Sequence, residues 1–334
     1  MNKNDSLMME ASLLSSGFAP AENQNDADIV IFNTCSVRDS AERRAKGRLK
    51  EAMAQVRERK GIVVAAGCMA QRIPEFLTNG KYCSIAIGTY QSPSIGKIIE
   101  NYLNGDKRRV FDSFDENDYA GRISGTTESW HKWITITHGC ENFCTYCIVP
   151  YVRGKLISAS SGKILSSIKS AVDNGAIEIT LLGQNVNQYG QDNGEIPFYR
   201  LLDESAKIKG IERINFLTSH PKDFDTNIIE VIKNNQNISR SVHLPLQSGS
   251  DSILKQMNRI YSFSDYMKII DKIKELPDFS ITTDLIVGFP GETNEDFEET
   301  IEAVRLVQYD EAFMYAYSPR ESTPAASFKN HLDK

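Results

Sequence analysis

The chain contains no run of about eighteen apolar residues, the length a membrane-spanning helix requires, so no membrane span is expected. Its first residues, Met1-Asn-Lys-Asn-Asp-Ser6, lack the apolar core of a signal peptide, and the expected location is cytoplasmic. It also lacks a basic excess. A net charge of -6 argues against binding nucleic acid over the whole surface, while leaving room for a local basic patch. Cysteine is scarce, at six in 334 residues. Without an export signal these are better read as reduced thiols and metal ligands than as disulfides. The rest is the composition of an ordinary globular protein, 40% hydrophobic and 25% charged, long enough for two domains.

Three of the six cysteines crowd into His138-Gly-Cys-Glu-Asn-Phe-Cys-Thr-Tyr-Cys-Ile-Val-Pro150, a C-x3-C-x2-C array of Cys140, Cys144 and Cys147. An odd set of thiols leaves one over after any pairing. Soft thiolates select zinc, copper(I) or iron–sulfur clusters. Zinc would want a fourth protein ligand, for which His138 is the nearby residue. A four-iron cluster held by three cysteines instead leaves one iron open to another ligand. Inert buried thiols are the third reading.

The N-terminal third alternates. Leu7–Leu14 reads as a helix, with Gly17 able to stop it. Strands are predicted at Asp28–Phe32, Gly61–Gly67 and Ser84–Gly88, and helices over Asp39–Arg59 and Ser94–Leu103. This order predicts an α/β domain over residues 1–104, a parallel sheet flavodoxin-like in outline. Cys35 and Cys68 each lie just past the C-terminal end of a strand, the edge where open parallel sheets form their ligand crevice. They are a second candidate metal site, or two small buried cysteines at helix starts. Cys83, at the start of a strand, reads as structural. The helix from Asp39 carries Arg43, Arg44, Lys46, Arg48 and Lys50. It could meet RNA phosphates or be a solvated face, with Glu42, Glu51 and Glu58 interspersed.

Residues 105–130 lose periodicity and read as a linker. A second domain is predicted over 131–334. Its strands are placed at Trp133–His138, Glu178–Leu182, Arg213–Leu217, Ser241–Leu246, Ile281–Val287 and Ala312–Tyr317. Its helices are placed at Ser161–Asn174, Phe198–Lys207, Asn227–Asn234, Asp251–Met257 continuing through Ser264–Lys274, and Asn294–Val307. Six β/α units suit an incomplete (β/α)6 barrel, whose chemistry sits at the C-terminal ends of the strands. The thiol loop follows the first strand. Further strands end in Leu182-Gly-Gln-Asn-Val-Asn187, Thr218-Ser-His-Pro221, Leu246-Gln-Ser-Gly-Ser250 and Gly288-Phe-Pro-Gly-Glu292. Each has a turn or capping reading by itself. Four on one rim beside the thiol loop exceed what turn chemistry needs. Arg259, near the far end of the helix from Asp251, is a natural fork for a carboxylate or else a surface residue.

The thiol array with Tyr146 before its last cysteine resembles the signature of the radical S-adenosylmethionine enzymes. Together with Asn33-Thr-Cys-Ser-Val-Arg38, Gly67-Cys-Met-Ala-Gln-Arg72, Pro150-Tyr-Val-Arg-Gly154, His243-Leu-Pro-Leu-Gln-Ser-Gly-Ser250, Thr283-Asp-Leu-Ile-Val-Gly-Phe-Pro-Gly-Glu292, and Tyr317-Ser-Pro-Arg320 with Thr323-Pro-Ala-Ala326, it resembles the methylthiotransferases of that superfamily. Gly183-Gln-Asn-Val-Asn187 and Ser219-His-Pro221 resemble the tRNA branch, the MiaB type. The resemblance implies a radical-SAM barrel carrying two [4Fe-4S] clusters. Cys140, Cys144 and Cys147 would hold the one that cleaves S-adenosylmethionine to a 5′-deoxyadenosyl radical; Cys35 and Cys68 would hold the auxiliary one that carries sulfur. It implies Tyr146, Gln184, Gln247, Ser248, Arg259 and Gly288 as S-adenosylmethionine contacts. The implied reaction places a methylthio group at C2 of N6-isopentenyladenosine beside the anticodon of a tRNA. The implied partners are the tRNA anticodon stem-loop and an electron donor such as flavodoxin or ferredoxin. Other targets in the family, a threonylcarbamoyl-adenosine tRNA or a ribosomal protein, and a non-catalytic iron–sulfur remnant, are the alternatives.

The sequence departs from the family in three places. The family has a strand ending in Gly-Cys-Gln ahead of the stretch matching Met1-Asn-Lys-Asn-Asp-Ser6, and a small RNA-binding β-barrel (the TRAM domain) after the last barrel strand. Leu156 and Ala159 stand where it usually has Glu and Arg. The expectation is a chain truncated at both ends, with a labile or missing auxiliary cluster and weakened tRNA binding. Finding about eight irons per chain after anaerobic reconstitution would contradict the cluster expectation.

Overall fold

The structure, a computed structural model, describes residues 2–37, 39–113 and 130–332. It divides into two compact units, Met1–Thr127 with Tyr151–Gly154, and Glu128–Pro150 with Lys155–Lys334.

In the first unit a helix, α1 (Asn2–Ser15), precedes β1 (Ile29–Thr34), α2 (Asp39–Arg57), β2 (Ile62–Gly67), α3 (Cys68–Arg72), α4 (Pro74–Leu77), β3 (Ile85–Ile87), α5 (Ile95–Leu103) and β4 (Val110–Phe111). Successive side chains of a strand point to opposite faces, and β2 is apolar on both. Val63 and Ala65 pack with Leu49, Ala52 and Val56 of α2 and with Met69, Ala70 and Leu77. Ile62, Val64 and Ala66 pack with Met9 of α1 and Ile95, Ile98 and Ile99 of α5. The α/β layering expected from the sequence is therefore present. Among the described residues its four strands are parallel and run β1-β2-β3-β4 in space, without the reversal of order a flavodoxin-like sheet carries. Where the sequence predicts a linker from residue 105, Val110–Phe111 joins the sheet beside Ala86 and Ile87, because Phe111 buries on the α5 face. The expected linker residues 114–129 lie outside the described residues.

Glu42 ties α2 to α3. Its carboxylate accepts two hydrogen bonds from Arg72 Nη2, both 2.7 Å, and pairs with Lys46 at 2.8 Å. Burial alone would raise the Glu42 carboxyl, but Lys46 and Arg72 outweigh it and hold it below the usual 4.5. A depressed carboxylate contributes stability above its unfolded pKa and loses it as pH falls through the folded value. Glu42→Gln is therefore expected to cost about 3 kcal/mol at pH 7, by splitting a buried ion pair. The deficit should shrink as pH falls below 4.5. Urea melts of both proteins at neutral and acid pH measure it; a deficit unchanged by acid would contradict the assignment.

The second unit begins with β5 (His131–Thr135) and β6 (Thr137–His138), then α6 (Val149–Arg153), whose last turn counts with the first unit. It continues β7 (Ile157–Ser158), α7 (Ser161–Asp173), β8 (Glu178–Leu182), α8 (Phe198–Ala206), β9 (Arg213–Leu217), α9 (Asn227–Asn234), β10 (Ser241–His243), α10 (Asp251–Gln256), α11 (Phe263–Lys274), β11 (Ser280–Val287), α12 (Asn294–Val307) and β12 (Glu311–Ala316). Two parallel sheets, β5-β8-β9 and β10-β11-β12, follow sequence order. They join where Ile214 N donates to Asn237 O (2.7 Å) and Ser219 N to His243 O (3.2 Å). Among the described residues this makes six parallel strands, the incomplete barrel expected from six β/α units.

Two predicted elements break. The strand predicted over Trp133–His138 ends at Thr135; Thr137 and His138 turn aside to pair antiparallel with Ser158 and Ile157. The helix predicted to run on from Asp251 is two helices. Asn258 takes a left-handed conformation (φ 56°), and Ser262 with Asp265 forms a capping box that restarts the chain as α11. That break is what carries Arg259 and Tyr261 into the site described next.

Candidate metal and cofactor site at the strand ends

Cys140, Cys144 and Cys147 lie in the loop after β6, and none is in a disulfide. The loop is held on several sides. Thr145 N donates to Met257 O (2.9 Å), Ala325 N to Thr145 O (2.9 Å), and Asn258 Nδ2 to Asn142 O (3.2 Å) and Phe143 O (3.1 Å). Burial, with the neighbouring thiols adding charge repulsion, pushes the Cys140 thiol up to about 11 and that of Cys147 to about 12. Their deprotonation thus calls for a cation, which a bound metal supplies. Among the described residues no three His, Cys, Asp or Glu side chains converge as the ligands of one ion. A single zinc draws every sulfur to about 2.3 Å of one point. A four-iron cluster would instead take one sulfur per iron, and Cys140, Cys144 and Cys147 are the three free thiols the loop offers it. His138 is buried on β6, and a second imidazole, that of His220, reaches the loop with Nε2 3.8 Å from Cys144 Sγ.

The loop interior is gripped through Asn142. Its Nδ2 donates to Asp223 Oδ2 (3.1 Å), which also accepts from Asn185 Nδ2 (2.7 Å). Its Oδ1 accepts from Gln188 Nε2 (3.1 Å) and Lys222 Nζ. Gln188 Oε1 lies 4.0 Å from Cys140 Sγ. Asn185 and Gln188 follow β8, and Lys222 and Asp223 follow β9. The parallel strands thus deliver two distant stretches to one loop. None of these residues is assigned a role by sequence; the signal available was that two polar strand-end motifs contain or adjoin them.

A ring of buried polar atoms has no hydrogen-bond partner among the described residues: Thr137 Oγ1, both amide atoms of Gln184, Asn187 Nδ2, Ser219 Oγ, Gln247 Oε1 and Glu292 Oε1. They follow β5, β8, β9, β10 and β11 in turn. A buried polar group left unpaired costs about 1–3 kcal/mol, so such a set at one rim fits a polar ligand.

The predicted S-adenosylmethionine contacts fall into two groups. Gln184 and Gln247 belong to the ring of unpaired atoms. Gly288 holds φ 71°, a conformation that favours glycine, and a Cβ there would meet nothing within 4 Å. Tyr146, Ser248 and Arg259 are engaged inside the protein. Ser248 Oγ accepts from Ser250 N (3.2 Å) and lies 3.3 Å from Thr300 Oγ1. Arg259 is 5% exposed. Its Nη1 donates to the Tyr146 hydroxyl (3.1 Å) and toward Cys144 Sγ (3.9 Å), its Nη2 to Pro245 O and its Nε to the Tyr261 hydroxyl. Its geometry is that of a brace for the thiol loop.

In the first unit Thr34 and Gly67 are register partners, so Cys35 and Cys68 emerge side by side from adjacent parallel strands. Gly67 launches α3 at φ 90°, with a would-be Cβ 2.7 Å from Thr34 O, which only glycine tolerates. Burial raises the Cys68 thiol, with Cys35 and Asp5 adding to the rise and Arg153 opposing it. Arg153 Nη2 pairs with Asp5 Oδ2 at 2.6 Å. Cys83 takes no part. It is buried in the α2-side core, its thiol 3.4 Å from Leu77 O and pushed up to about 12 by burial.

Comparison with known proteins identifies the family. The Radical SAM superfamily matches residues 134–304, and a family described as Uncharacterized protein family UPF0004 matches residues 1–88. The chain is 40% identical over 341 residues to a tRNA-2-methylthio-N(6)-dimethylallyladenosine synthase of Caldicellulosiruptor saccharolyticus, covering 99% of this chain and 72% of that protein. It is 42% identical over 340 residues to the protein of the same name from Clostridium tetani, covering 99% and 75%. Among solved structures, a radical S-adenosylmethionine methyltransferase, TsrM, from Kitasatospora setae, with cobalamin and a [4Fe-4S] cluster bound, matches with a TM-score of 0.73. It covers 96% of this chain and 70% of that one at 12% identity, a likeness of fold alone. The chain belongs to the radical S-adenosylmethionine superfamily and, within it, to the methylthiotransferases of the MiaB type.

Proposed function

We propose that this chain adds a methylthio group to C2 of N6-isopentenyladenosine next to a tRNA anticodon, as the names of its relatives describe for them. The observation that carries the reading is the meeting of the three-thiol loop with the ring of buried, unpaired polar atoms at the strand ends. Cys140, Cys144 and Cys147 would hold a four-iron cluster, and Cys35 and Cys68 would contribute to a second. When bound, the first cluster supplies the electron that cleaves S-adenosylmethionine, chemistry no side chain offers. Gln184, Gln247 and Gly288 are the proposed contacts for that cosubstrate, with Tyr146 fixed by Arg259 at the edge of the site. Asn142, Asp223 and Lys222 hold the loop still, and the buried rim excludes water. The target base of an anticodon loop can be splayed out and read by its edges. The partners in this reading are tRNA and a small redox protein such as flavodoxin or ferredoxin, in the cytoplasm.

Anaerobically reconstituted protein, given reductant, S-adenosylmethionine and isopentenylated tRNA, is expected to yield the methylthio nucleoside on digestion, together with 5′-deoxyadenosine. Cleavage of S-adenosylmethionine with unchanged tRNA would move the target elsewhere. No cleavage by iron-loaded protein would overturn the reading.

A further inference from the structure

We infer that His220 is a positioning residue that donates an Nε2–H hydrogen bond to the sulfur of Cys144, and so raises the reduction potential of the cluster held by the thiol loop. The inference rests on the proposed four-iron site. It goes beyond that site by giving a role to a residue that binds neither iron nor S-adenosylmethionine.

The argument runs through the tautomer. A neutral imidazole carries one N–H, and the hydrogen bond made by one nitrogen decides which nitrogen has it. His220 Nδ1 accepts the backbone N–H of Lys222 at 3.2 Å. An accepting nitrogen holds no proton, so the ring proton is on Nε2. That nitrogen lies 3.8 Å from Cys144 Sγ, within reach of an N–H···S bond. The ring has little freedom to leave. His220 is 7% exposed, and its ring packs edge-on against Tyr261, with centroids 5.8 Å apart. Its backbone N–H donates to Asn187 Oδ1 at 3.1 Å. Pro221 follows, and the short turn Pro221–Asp223 presents the Lys222 N–H to the ring. Arg259 Nη1 approaches the same sulfur at 3.9 Å from another element. Cys144 therefore receives two side-chain N–H donors, from two separate elements. Reduction adds electron density to cluster sulfur, and donors to that sulfur favour the reduced form; hydrogen bonding to sulfur is one of the protein's levers on cluster potential.

The test is the midpoint potential of the reconstituted cluster, followed by EPR during a redox titration. His220→Leu keeps apolar bulk and removes the donor; its potential is expected to shift to more negative values. His220→Gln places an amide N–H in the same region and is expected to recover most of the wild-type value. Pulsed EPR of wild-type protein carrying 15N-histidine is expected to show a weak nitrogen coupling to the reduced cluster, lost in His220→Gln. Wild-type protein that assembles no cluster would overturn the proposed site rather than this role. A cluster whose potential is the same in wild type and His220→Leu would overturn the role. If His220→Leu holds no cluster, the labelled wild-type spectrum decides, and absence of the coupling would overturn it.

Discussion

A Cys144→Ala protein, reconstituted anaerobically, is expected to be pale, to hold far fewer than the about four irons of an intact site, and to cleave S-adenosylmethionine below detection. The expectation follows from where the sulfur sits. Cys144 is a buried residue, 7% exposed, and is the loop cysteine facing both His220 and Arg259. A water cannot readily replace a ligand in that position, and the two donors would be left pointing at a methyl group. Folding explains little of such a loss. Trimming one buried sulfur costs about 1 kcal/mol, the centre of the range for point substitutions. Cys83→Ala is the matching control. It removes a fully buried sulfur from the core of the first unit, where the thiol donates to Leu77 O and the side chain packs among apolar groups. It should lose comparable stability and keep S-adenosylmethionine cleavage. Iron assay, visible absorption and 5′-deoxyadenosine yield on the two proteins make the comparison. Iron retention by Cys144→Ala at the wild-type level would sink the ligand assignment.

Asp223→Ala is expected to weaken iron retention and slow S-adenosylmethionine cleavage by about 10- to 100-fold, the usual cost of losing an outer partner of a metal ligand set. Asp223 Oδ2 accepts from both Asn142 and Asn185, and Oδ1 lies 3.6 Å from Lys222 Nζ. Removing the carboxylate leaves two buried amides without their acceptor, at about 1–3 kcal/mol each. Lys222 would keep its contact to Asn142 and lose its counter-charge. The cheapest relief is for Asn142 to turn outward, and that unlocks the chain between Cys140 and Cys144. Asp223→Asn keeps one acceptor and should fall between. A chelator challenge gives the measurement: iron release from Asp223→Ala at the wild-type rate would show that the clamp is incidental.

The elements most legible in sequence were those with one clean period. Glu178–Leu182, Arg213–Leu217 and Asn227–Asn234 form with the boundaries their patterns predict. Where two signals compete the pattern misleads. Thr137 and His138 continue the apolar alternation of β5, yet they pair with Ser158 and Ile157 because the chain must turn to open the thiol loop. The stretch from Asp251 to Lys274 keeps a helical period through residues 257–262, and only the left-handed Asn258 and the Ser262 cap reveal the break. Val110–Phe111 is too short to carry a period at all, and its strand exists because β3 offers it an open edge.

Local chemistry could be read from the chain itself. The C-x3-C-x2-C spacing sets three thiols within one short loop, and thiolate softness limits what they bind. The order of strands and helices placed that loop at the end of the first barrel strand. What the linear order could not show is which residues stand around it. Asn142 and Asp223 are separated by 81 positions, and Cys144 and Arg259 by 115, and each pair meets only when the strands curve into a barrel. The direction of the His220 proton is set by one backbone N–H of Lys222 in a three-residue turn, a matter of ångströms that no spacing rule encodes. Sequence specifies donor types and their local intervals; tertiary packing alone selects which donors face which sulfur, because that depends on distances closed by the whole barrel.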